Sequence, residues 1–219
     1  MTDFNNVKAD APKVNFASIT NQFLVDFISN SISLDTRDIS KEVVEKVIAG
    51  EAVDVEEKVV LLVKDYLDGL LFAVRLASDN KPFNENDLKD LHQIIVRDKN
   101  FGGLYRNVDI SIKGSNHTPP SFVKVYDRMK KYFDTINDPT LDTWYKIAFS
   151  HAQLMKVHPF LDGNGRCARI VLNYNLLKNG FKPVIINYSD KDKYFNLLEE
   201  FKVNKNIEPL IKYLQDMQK

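Results

Sequence analysis

Apolar residues recur three and four positions apart along most of this 219-residue chain, which is the spacing that places them on one face of an α-helix. The pattern predicts helices over residues 18–29, 38–50, 55–78, 121–138, 141–158, 166–180 and, as one or two helices, 190–219, and a turn followed by a helix within residues 80–96. Ser40 and either Asn84 or Asn86 are suitable N-caps, and Gly50 and Gly180 are suitable C-terminal stops. We therefore predict a mainly α fold.

The helical pattern breaks in two places. Residues 102–120 read GGLYRNVDISIKGSNHTPP, with alternating residues at VDISI, several turn residues and a double proline. This combination predicts a loop that contains a short strand or β-hairpin. Residues 181–189, FKPVIINYS, form a second short segment that is rich in strand-favouring residues.

The composition narrows the class of protein. The chain has 30 basic and 30 acidic residues, so we expect neither a nucleic acid nor a membrane partner. There is no apolar run of about 18 residues, no secretory signal core in the polar start, and one cysteine, Cys167, so no internal disulfide forms. These features favour a soluble cytoplasmic protein, with residues 1–17 flexible and residues 18–219 forming a single domain.

The polar segment, residues 158–169, reads HPFLDGNGRCAR and separates two apolar helices. Pro159 ends the first helix, and Gly163 and Gly165 permit a sharp turn, so the peptide N–H groups converge at the start of the next helix and form an anion site. Arg166 and Arg169 share a helix face, which suits a polyphosphate.

The other side chains of the polar segment suit the same ligand. Asp162 beside a polyphosphate indicates a Mg²⁺ ligand, and His158 at the rim is placed to accept a proton. Each residue also has a structural explanation, because a histidine before a turn, a Gly-Asn-Gly turn, a capping aspartate and a solvated pair of arginines are all common. Cys167 is interpreted as a small packed residue.

The polar segment resembles the signature of Fic proteins, HxFx(D/E)GNGRxxR, at every fixed position. The resemblance extends over about residues 20–215, through GxYR, a short hairpin and PP in the flap region (residues 102–120) and through the closing helices. It differs from the Doc-type kinases, whose loop ends in ANKR. The resemblance implies a Fic-type helical bundle with a short β-hairpin flap, in which residues 18–50 form an inhibitory-type layer and residues 55–219 the Fic core.

The resemblance implies transfer of AMP from ATP to a Tyr, Thr or Ser hydroxyl of a target protein, and also self-modification. It makes His158 the base, Phe160 the anchor of the loop, and Asp162 the ligand of Mg²⁺ or Mn²⁺. The phosphates are then held by Gly163, Asn164, Gly165, Arg166 and Arg169.

The resemblance also implies where the target and the nucleoside bind. A segment of the target pairs as an added strand with the flap at Val108, Asp109, Ile110, Ser111 and Ile112. Tyr188 and Tyr194 are candidates for the adenine pocket, with ordinary packing as the alternative. Fic proteins commonly form homo-oligomers, but no sequence feature here identifies an interface.

Many Fic proteins carry an inhibitory helix with the pattern (S/T)xxxE(G/N), whose glutamate binds the second signature arginine. Residues 29–50 resemble that region, with Ser29 as the motif serine and Ser33 at the glutamate position. A serine cannot form an ion pair with Arg169. We therefore expect autoinhibition to be weak, or to depend on another acid such as Asp35 or Glu51.

Other functions remain open at this point. A protein with the same fold could transfer UMP or phosphocholine, or it could remove AMP. Alternatively, the chain could be a non-catalytic nucleotide-binding module or a toxin. The absence of a glutamate at position 33 argues against AMP removal, the complete signature argues against a non-catalytic module, and the inhibitory-type helix argues against a toxin.

Overall fold

The computed structural model describes residues 16–35, 39–79 and 81–219. Most of the segment predicted to be flexible, residues 1–17, lies outside these ranges. The described residues form nine α-helices: α1 Asn21–Asp35, α2 Lys41–Ala49, α3 Glu57–Ser78, α4 Glu85–Ile95, α5 Val125–Ile136, α6 Thr143–Val157, α7 Asn164–Lys178, α8 Lys191–Asn204 and α9 Glu208–Asp216. The predicted mainly α fold is confirmed.

Local sequence signals account for several helix ends. The Ser40 hydroxyl accepts a hydrogen bond from the Val43 N–H at 3.3 Å and caps α2, and Gly50 ends this helix in the left-handed conformation with φ 78°. Asn84 forms a capping box with Asp87 at the start of α4. These contacts satisfy backbone groups that a helix end leaves unpaired, and they confirm Ser40, Gly50 and Asn84 as caps.

Helix α7 is the centre of the bundle. It packs most extensively against α6 and α3, and it also contacts α1 and α4. Almost its entire circumference is buried, as expected for a helix surrounded by others. Its buried amides are paired, with Asn175 donating to the Ser150 hydroxyl at 3.0 Å and Asn173 donating to the Val184 carbonyl at 3.0 Å. The polar segment therefore leads directly into the most buried helix of the described chain.

The described residues contain no β-strand, so the predicted β-hairpin of the flap region is not confirmed. The flap region has no regular secondary structure, with a turn at Lys113 and Gly114, and side chains hold it, since the Ser115 hydroxyl and the Asn116 N–H both donate to the Glu199 carboxylate. Residues 181–187 also lack regular secondary structure, and there the Asn173 amide accepts from the Val184 N–H and donates to the Val184 carbonyl. Side-chain contacts replace a strand ladder in both segments.

Among the described residues, no helix is both long enough and apolar enough to cross a lipid bilayer.

His151 is a buried titratable group in the bundle. It is fully buried on α6, and its ring nitrogens lie 2.9 Å from the Ala168 carbonyl and 2.9 Å from the Tyr194 hydroxyl. Burial lowers the pKa of His151 to about 4, although the hydrogen bond to Ala168 opposes this shift. In the unfolded chain the same ring takes up its proton near pH 6.5.

We expect His151 to make the fold acid-sensitive. Between about pH 6.5 and 4 only the unfolded chain binds this proton, so the free energy of unfolding falls by up to about 1.4 kcal/mol per pH unit as pH decreases. Urea titrations at several pH values measure this slope. His151→Gln keeps a donor and an acceptor without the titration, so its slope should be shallower. Identical slopes for the two proteins would contradict the assignment.

Candidate active site

The polar segment forms the floor of a cavity of about 710 Å³ between α1, α6, α7, α8 and the flap region. Its lining includes His158, Asp162, Gly163, Asn164, Gly165 and Arg166 of the polar segment, together with Asp35, Ile112, Lys191 and Phe195 from the surrounding elements. His158, Asp162 and residues 163–166 of the polar segment therefore line one cavity, whereas Arg169 is not among its lining residues.

His158 ends α6 in the left-handed conformation, with φ 52° and ψ 60°. That conformation costs a residue other than glycine roughly 1–2 kcal/mol, so surrounding contacts must hold it. The Nδ1 atom is buried and has no hydrogen-bond partner among the described residues. Burial lowers the pKa of His158 to about 4, whereas the sequence suggested a value near neutral. The imidazole is consequently neutral at pH 7 and can accept a proton.

Phe160 anchors the polar segment, as predicted. Its side chain is fully buried, and its ring stacks on His92 with centroids 3.7 Å apart and planes 4° apart. His92 accepts a hydrogen bond from the Gly103 N–H at 2.9 Å, and its Nε2 lies 3.0 Å from the Asp162 carbonyl. The accepting Nδ1 places the ring proton on Nε2, which donates to Asp162. His92 therefore connects the polar segment to the start of the flap region.

The Asn164 side chain is bonded within the loop, and its predicted contact with phosphate stays a prediction. Its Oδ1 accepts from the Phe160 N–H and its Nδ2 donates to the Phe160 carbonyl, both at 2.9 Å. Both ends of the amide are used within the loop, and the residue is buried. Asn164 therefore closes the turn, and it also lines the cavity.

Gly163 is the N-cap residue of α7, with φ 75° and no side-chain cap. A Cβ atom at Gly163 would lie 3.1 Å from the Val96 side chain, and one at Gly165 would lie 2.6 Å from Asp35 Oδ1. Position 163 therefore favours glycine for its conformation, whereas a side chain at position 165 would displace the carboxylate of Asp35. The uncapped start of α7 faces the cavity, where its N–H groups and dipole suit an anion.

Asp162 lies at the edge of this anion site, and 60% of its side chain is exposed. Its Oδ1 accepts from the Gly163 N–H at 2.7 Å, and its Oδ2 is 3.4 Å from Arg166. It does not cap α7, which was the alternative interpretation. Among the described residues no group of three His, Cys, Asp or Glu side chains could hold a metal. A single accessible carboxylate fits Mg²⁺, which keeps waters and binds phosphate oxygens.

Arg166 faces the cavity from one side. Its Nη1 donates to the Ile95 carbonyl at 2.8 Å, and its side chain is 11% exposed. These contacts hold the guanidinium beside Asp162 and next to the start of α7. Cys167, between the two arginines, is fully buried, and burial raises the pKa of its thiol. It is a packed residue, as predicted.

Arg169 is paired with the N-terminal helix. Its Nη2 lies 2.7 Å from Asp35 Oδ2 and 3.0 Å from the Ser31 carbonyl, and its Nε donates to the Ser31 hydroxyl. Burial opposes its charge, yet Asp35 and the nearby tyrosines outweigh this and raise the pKa of Arg169. Its Nη1 is buried and without a partner among the described residues.

The acid that contacts Arg169 is therefore Asp35, one of the two alternatives named from the sequence. The placement of Ser33 opposite Arg169 is wrong, because α1 turns Ser31 and Asp35, four residues apart, toward α7. Ser29 is buried, and its hydroxyl donates to the Asp26 carbonyl within α1 at 3.3 Å. The register differs from the sequence alignment by two residues.

The two tyrosines predicted to line the nucleoside pocket, Tyr188 and Tyr194, lie in different environments. Tyr194 is fully buried, and its hydroxyl bonds to His151, so it cannot line an open pocket. Phe195 and Lys191, which lie four residues apart on α8, face the cavity instead. Tyr188 is 48% exposed, and its N–H donates to Asn30 Oδ1 at 2.8 Å; its role stays a prediction.

The predicted docking residues of the flap lie at the surface beside the cavity. Val108, Asp109 and Ser111 are exposed, and Ile110 and Ile112 are partly buried. Asp109 accepts from the Phe122 N–H at 2.7 Å. The segment has no strand partner among the described residues, but its Val108 and Ile112 carbonyls accept from the Arg106 guanidinium and the Ser115 N–H.

A comparison with protein families gives the site its context. The sequence model of the Fic/DOC family matches residues 82–176, which include α4, the flap region and the polar segment. This part of the chain is similar to the Fic/DOC family.

Curated relatives carry names that agree with this family. A protein named "Protein adenylyltransferase Fic" from Nematostella vectensis is 33% identical over 115 residues, covering 51% of this chain and 26% of the relative. One named "Protein adenylyltransferase fic-1" from Caenorhabditis elegans is 28% identical over 144 residues, covering 64% of this chain and 28% of the relative. The chain thus spans about a quarter of the length of these relatives.

Solved structures share the Fic fold. A Fic domain containing signaling protein from Bacteroides thetaiotaomicron superimposes with a TM-score of 0.83 at 23% identity, covering 90% of this chain and 83% of that one. Fic-1 residues 134–508 from C. elegans give a TM-score of 0.81 at 20% identity, covering 98% of this chain and 65% of that one. The match includes helices before residue 82, so the Fic fold extends beyond the matched family region.

Several residues of the Fic site were missed in the sequence. His92 is a single histidine in a helix and carries no spacing signal, whereas Arg106 is the arginine of GxYR but had no role assigned to it. Ser31 was missed because it lies two positions from the serine that the pattern selected. Each became visible only through contacts between distant parts of the chain.

We expect Asn164→Ala to destabilise the free Fic domain. The variant leaves the buried N–H and carbonyl of Phe160 without partners, which costs about 1–3 kcal/mol for each group. Urea unfolding without nucleotide measures this loss. If Asn164 acted only on phosphate, the nucleotide-free stability would not change, and that result would contradict its role in closing the turn.

Proposed function

We propose that this chain is a protein adenylyltransferase, which transfers AMP from ATP to a Tyr, Thr or Ser hydroxyl and releases pyrophosphate. The observation that carries the proposal is the cavity shared by the partly buried, neutral His158, the accessible Asp162 and the uncapped N-terminus of α7. The names of the curated relatives support the same reaction.

His158 takes the proton of the attacking hydroxyl in this proposal. The hydroxyl oxygen forms a bond to the α-phosphorus as the bond to the pyrophosphate oxygen breaks, and the proton passes to the imidazole. A ring that is neutral at pH 7 is in the state needed to accept it. General base catalysis of this kind typically contributes 10²- to 10⁴-fold, as an order of magnitude.

The start of α7 binds the phosphates. Its N–H groups and helix dipole stabilise the negative charge that develops on the α-phosphate and on the departing pyrophosphate. Arg166 adds a positive charge beside Asp162. Asp162 would hold Mg²⁺, which supplies further neutralisation of phosphate charge when bound.

The remaining walls of the cavity bind the rest of the two substrates. Phe195 offers an aromatic face for the base, and Lys191 lies four residues earlier on the same helix. The exposed main chain of residues 108–112 can pair with an extended segment of the target. Such pairing places a hydroxyl near His158 without demanding a particular target sequence.

We expect label from α-³²P-ATP to enter the target or the chain itself in the presence of Mg²⁺. His158→Ala removes the base and should reduce the rate by at least about 100-fold. Label from γ-³²P-ATP in protein would instead indicate a kinase, and label from UTP alone another transferase. Either result would overturn the proposal, as would undiminished transfer by His158→Ala.

We further propose that Asp35 restrains the enzyme. It occupies the guanidinium of Arg169, which the family resemblance assigns to the γ-phosphate of ATP, and Ser31 holds the same guanidinium from the adjacent turn. Productive binding of ATP then requires the Asp35–Arg169 pair to separate. Autoinhibition is therefore retained through an aspartate, in contrast to the weak inhibition expected from Ser33.

We expect Asp35→Asn to raise AMP transfer and to lower the KM for ATP, by about tenfold or more if the lost charge-assisted contact is worth about 1.5–3 kcal/mol. Initial rates over a range of ATP concentrations measure both changes. Ser33→Ala is the matched control on the same helix and should match the original chain. Unchanged or reduced transfer by Asp35→Asn would refute the restraint.

A further inference from the structure

Arg106 is a buried cation between the flap region and the polar segment. Its side chain is fully buried. Its Nε donates to the His158 carbonyl at 2.9 Å and its Nη1 donates to the Val108 carbonyl at 2.9 Å, while its Nη2 donates to the Pro120 carbonyl. Its own N–H donates to the Pro159 carbonyl at 2.8 Å. One residue thereby contacts three separate stretches of main chain.

Among the described residues, the carboxylate paired with this guanidinium is the distant one of Asp109. Asp109 Oδ1 lies 3.8 Å away on a side chain that is 66% exposed, so the buried charge is satisfied mainly by carbonyl oxygens. Burial lowers the pKa of Arg106, although Asp109 opposes this shift. Burying a charge is unfavourable unless hydrogen bonds replace its water, and only the planar fork of arginine can donate to several carbonyls at once.

The positions of these carbonyls carry the inference. The His158 carbonyl belongs to the residue in the left-handed conformation, and the Val108 carbonyl begins the exposed stretch of the flap. The Pro120 carbonyl lies where the flap region returns to the bundle. We propose that Arg106 is a positioning residue, which fixes the main chain of His158 relative to both ends of the flap region.

The inference rests on the proposed function and deepens it. The position of a target segment that pairs with residues 108–112 depends on the main chain at Val108. The position of the imidazole that takes its proton depends on the main chain of His158. Because one rigid guanidinium binds both stretches of main chain, it fixes the position of the target hydroxyl relative to the base. Displacements of about 1 Å in such geometry can reduce rates by about 100-fold.

The tip of the flap region is held separately. The Glu199 carboxylate accepts from the Ser115 hydroxyl at 2.6 Å and the Asn116 N–H at 3.0 Å, and His117 Nε2 lies 3.0 Å from the Lys156 carbonyl. These contacts fix the tip against α8 and α6 but do not touch His158. Arg106 thus joins the flap region to the main chain of His158 itself, whereas His92 joins it to Asp162.

The test compares Arg106→Gln and Arg106→Lys with the original full chain. We expect Arg106→Gln to bind Mg-ATP within about threefold of the original affinity while its kcat for target modification falls by about 100-fold. Arg106→Lys keeps the charge but reaches fewer carbonyls, so its kcat should fall by about tenfold. Calorimetric titration and initial rates give the two quantities separately.

Asn175→Ala is the matched control for lost stability. Asn175 is also a buried side chain that donates hydrogen bonds, but it lies near the far end of α7 and bonds Ser150. Circular dichroism identifies a temperature at which all variants are folded. If Arg106 only stabilised the fold, its variants would transfer AMP as fast as Asn175→Ala at that temperature, and this result would overturn the proposal.

Amide hydrogen exchange tests the same coupling without any activity. In Arg106→Gln we expect faster exchange in residues 106–112 and 157–160 together, with little change at the tip, residues 114–117. Faster exchange throughout the chain, or in only one of the two segments, would overturn the proposal. If the original chain transfers no AMP, the proposed function fails, and the exchange measurement still decides the role of Arg106.

Discussion

The hydrogen bonds between the Asn164 side chain and the Phe160 main chain close the turn on which the site depends. They let the chain leave α6, reverse through a short polar stretch and enter the most buried helix of the described structure without unpaired polar groups at Phe160. The Phe160 ring then fills the space beside His92. The buried side of the turn is occupied entirely by structural contacts, so the other side is free for chemistry.

The exposed side of the turn combines three local properties. His158 is kept neutral by burial, Asp162 stays accessible, and α7 begins without a side-chain cap. None of these properties stabilises the fold, because a histidine in the left-handed conformation, an exposed carboxylate and an uncapped helix contribute little to the free energy of folding. Because all three properties occur in one cavity, they indicate that the polar segment is a functional site and not only a connecting loop.

Contacts from outside the polar segment determine how the site is controlled. Asp35 and Ser31 on α1 hold Arg169 from one direction, and Arg106 holds the main chain of His158 from another. The first set competes with an anionic ligand for a guanidinium, whereas the second sets geometry. Both use arginine, because its donors are fixed in direction and its charge persists when buried.

The sequence by itself determined the helices, the caps at Ser40 and Asn84, the family of the domain and the chemical types gathered in the polar segment. These features depend on periodicity and on residues within a few positions of one another. The tertiary structure decided that Asn164 bonds Phe160, that Tyr194 is buried while Phe195 faces the cavity, and that Asp35 lies opposite Arg169. It also left the flap without the predicted strands. Such contacts depend on which face of a helix packs against which neighbour. A shift of one or two residues is too small to alter the sequence pattern, but it changes that face completely.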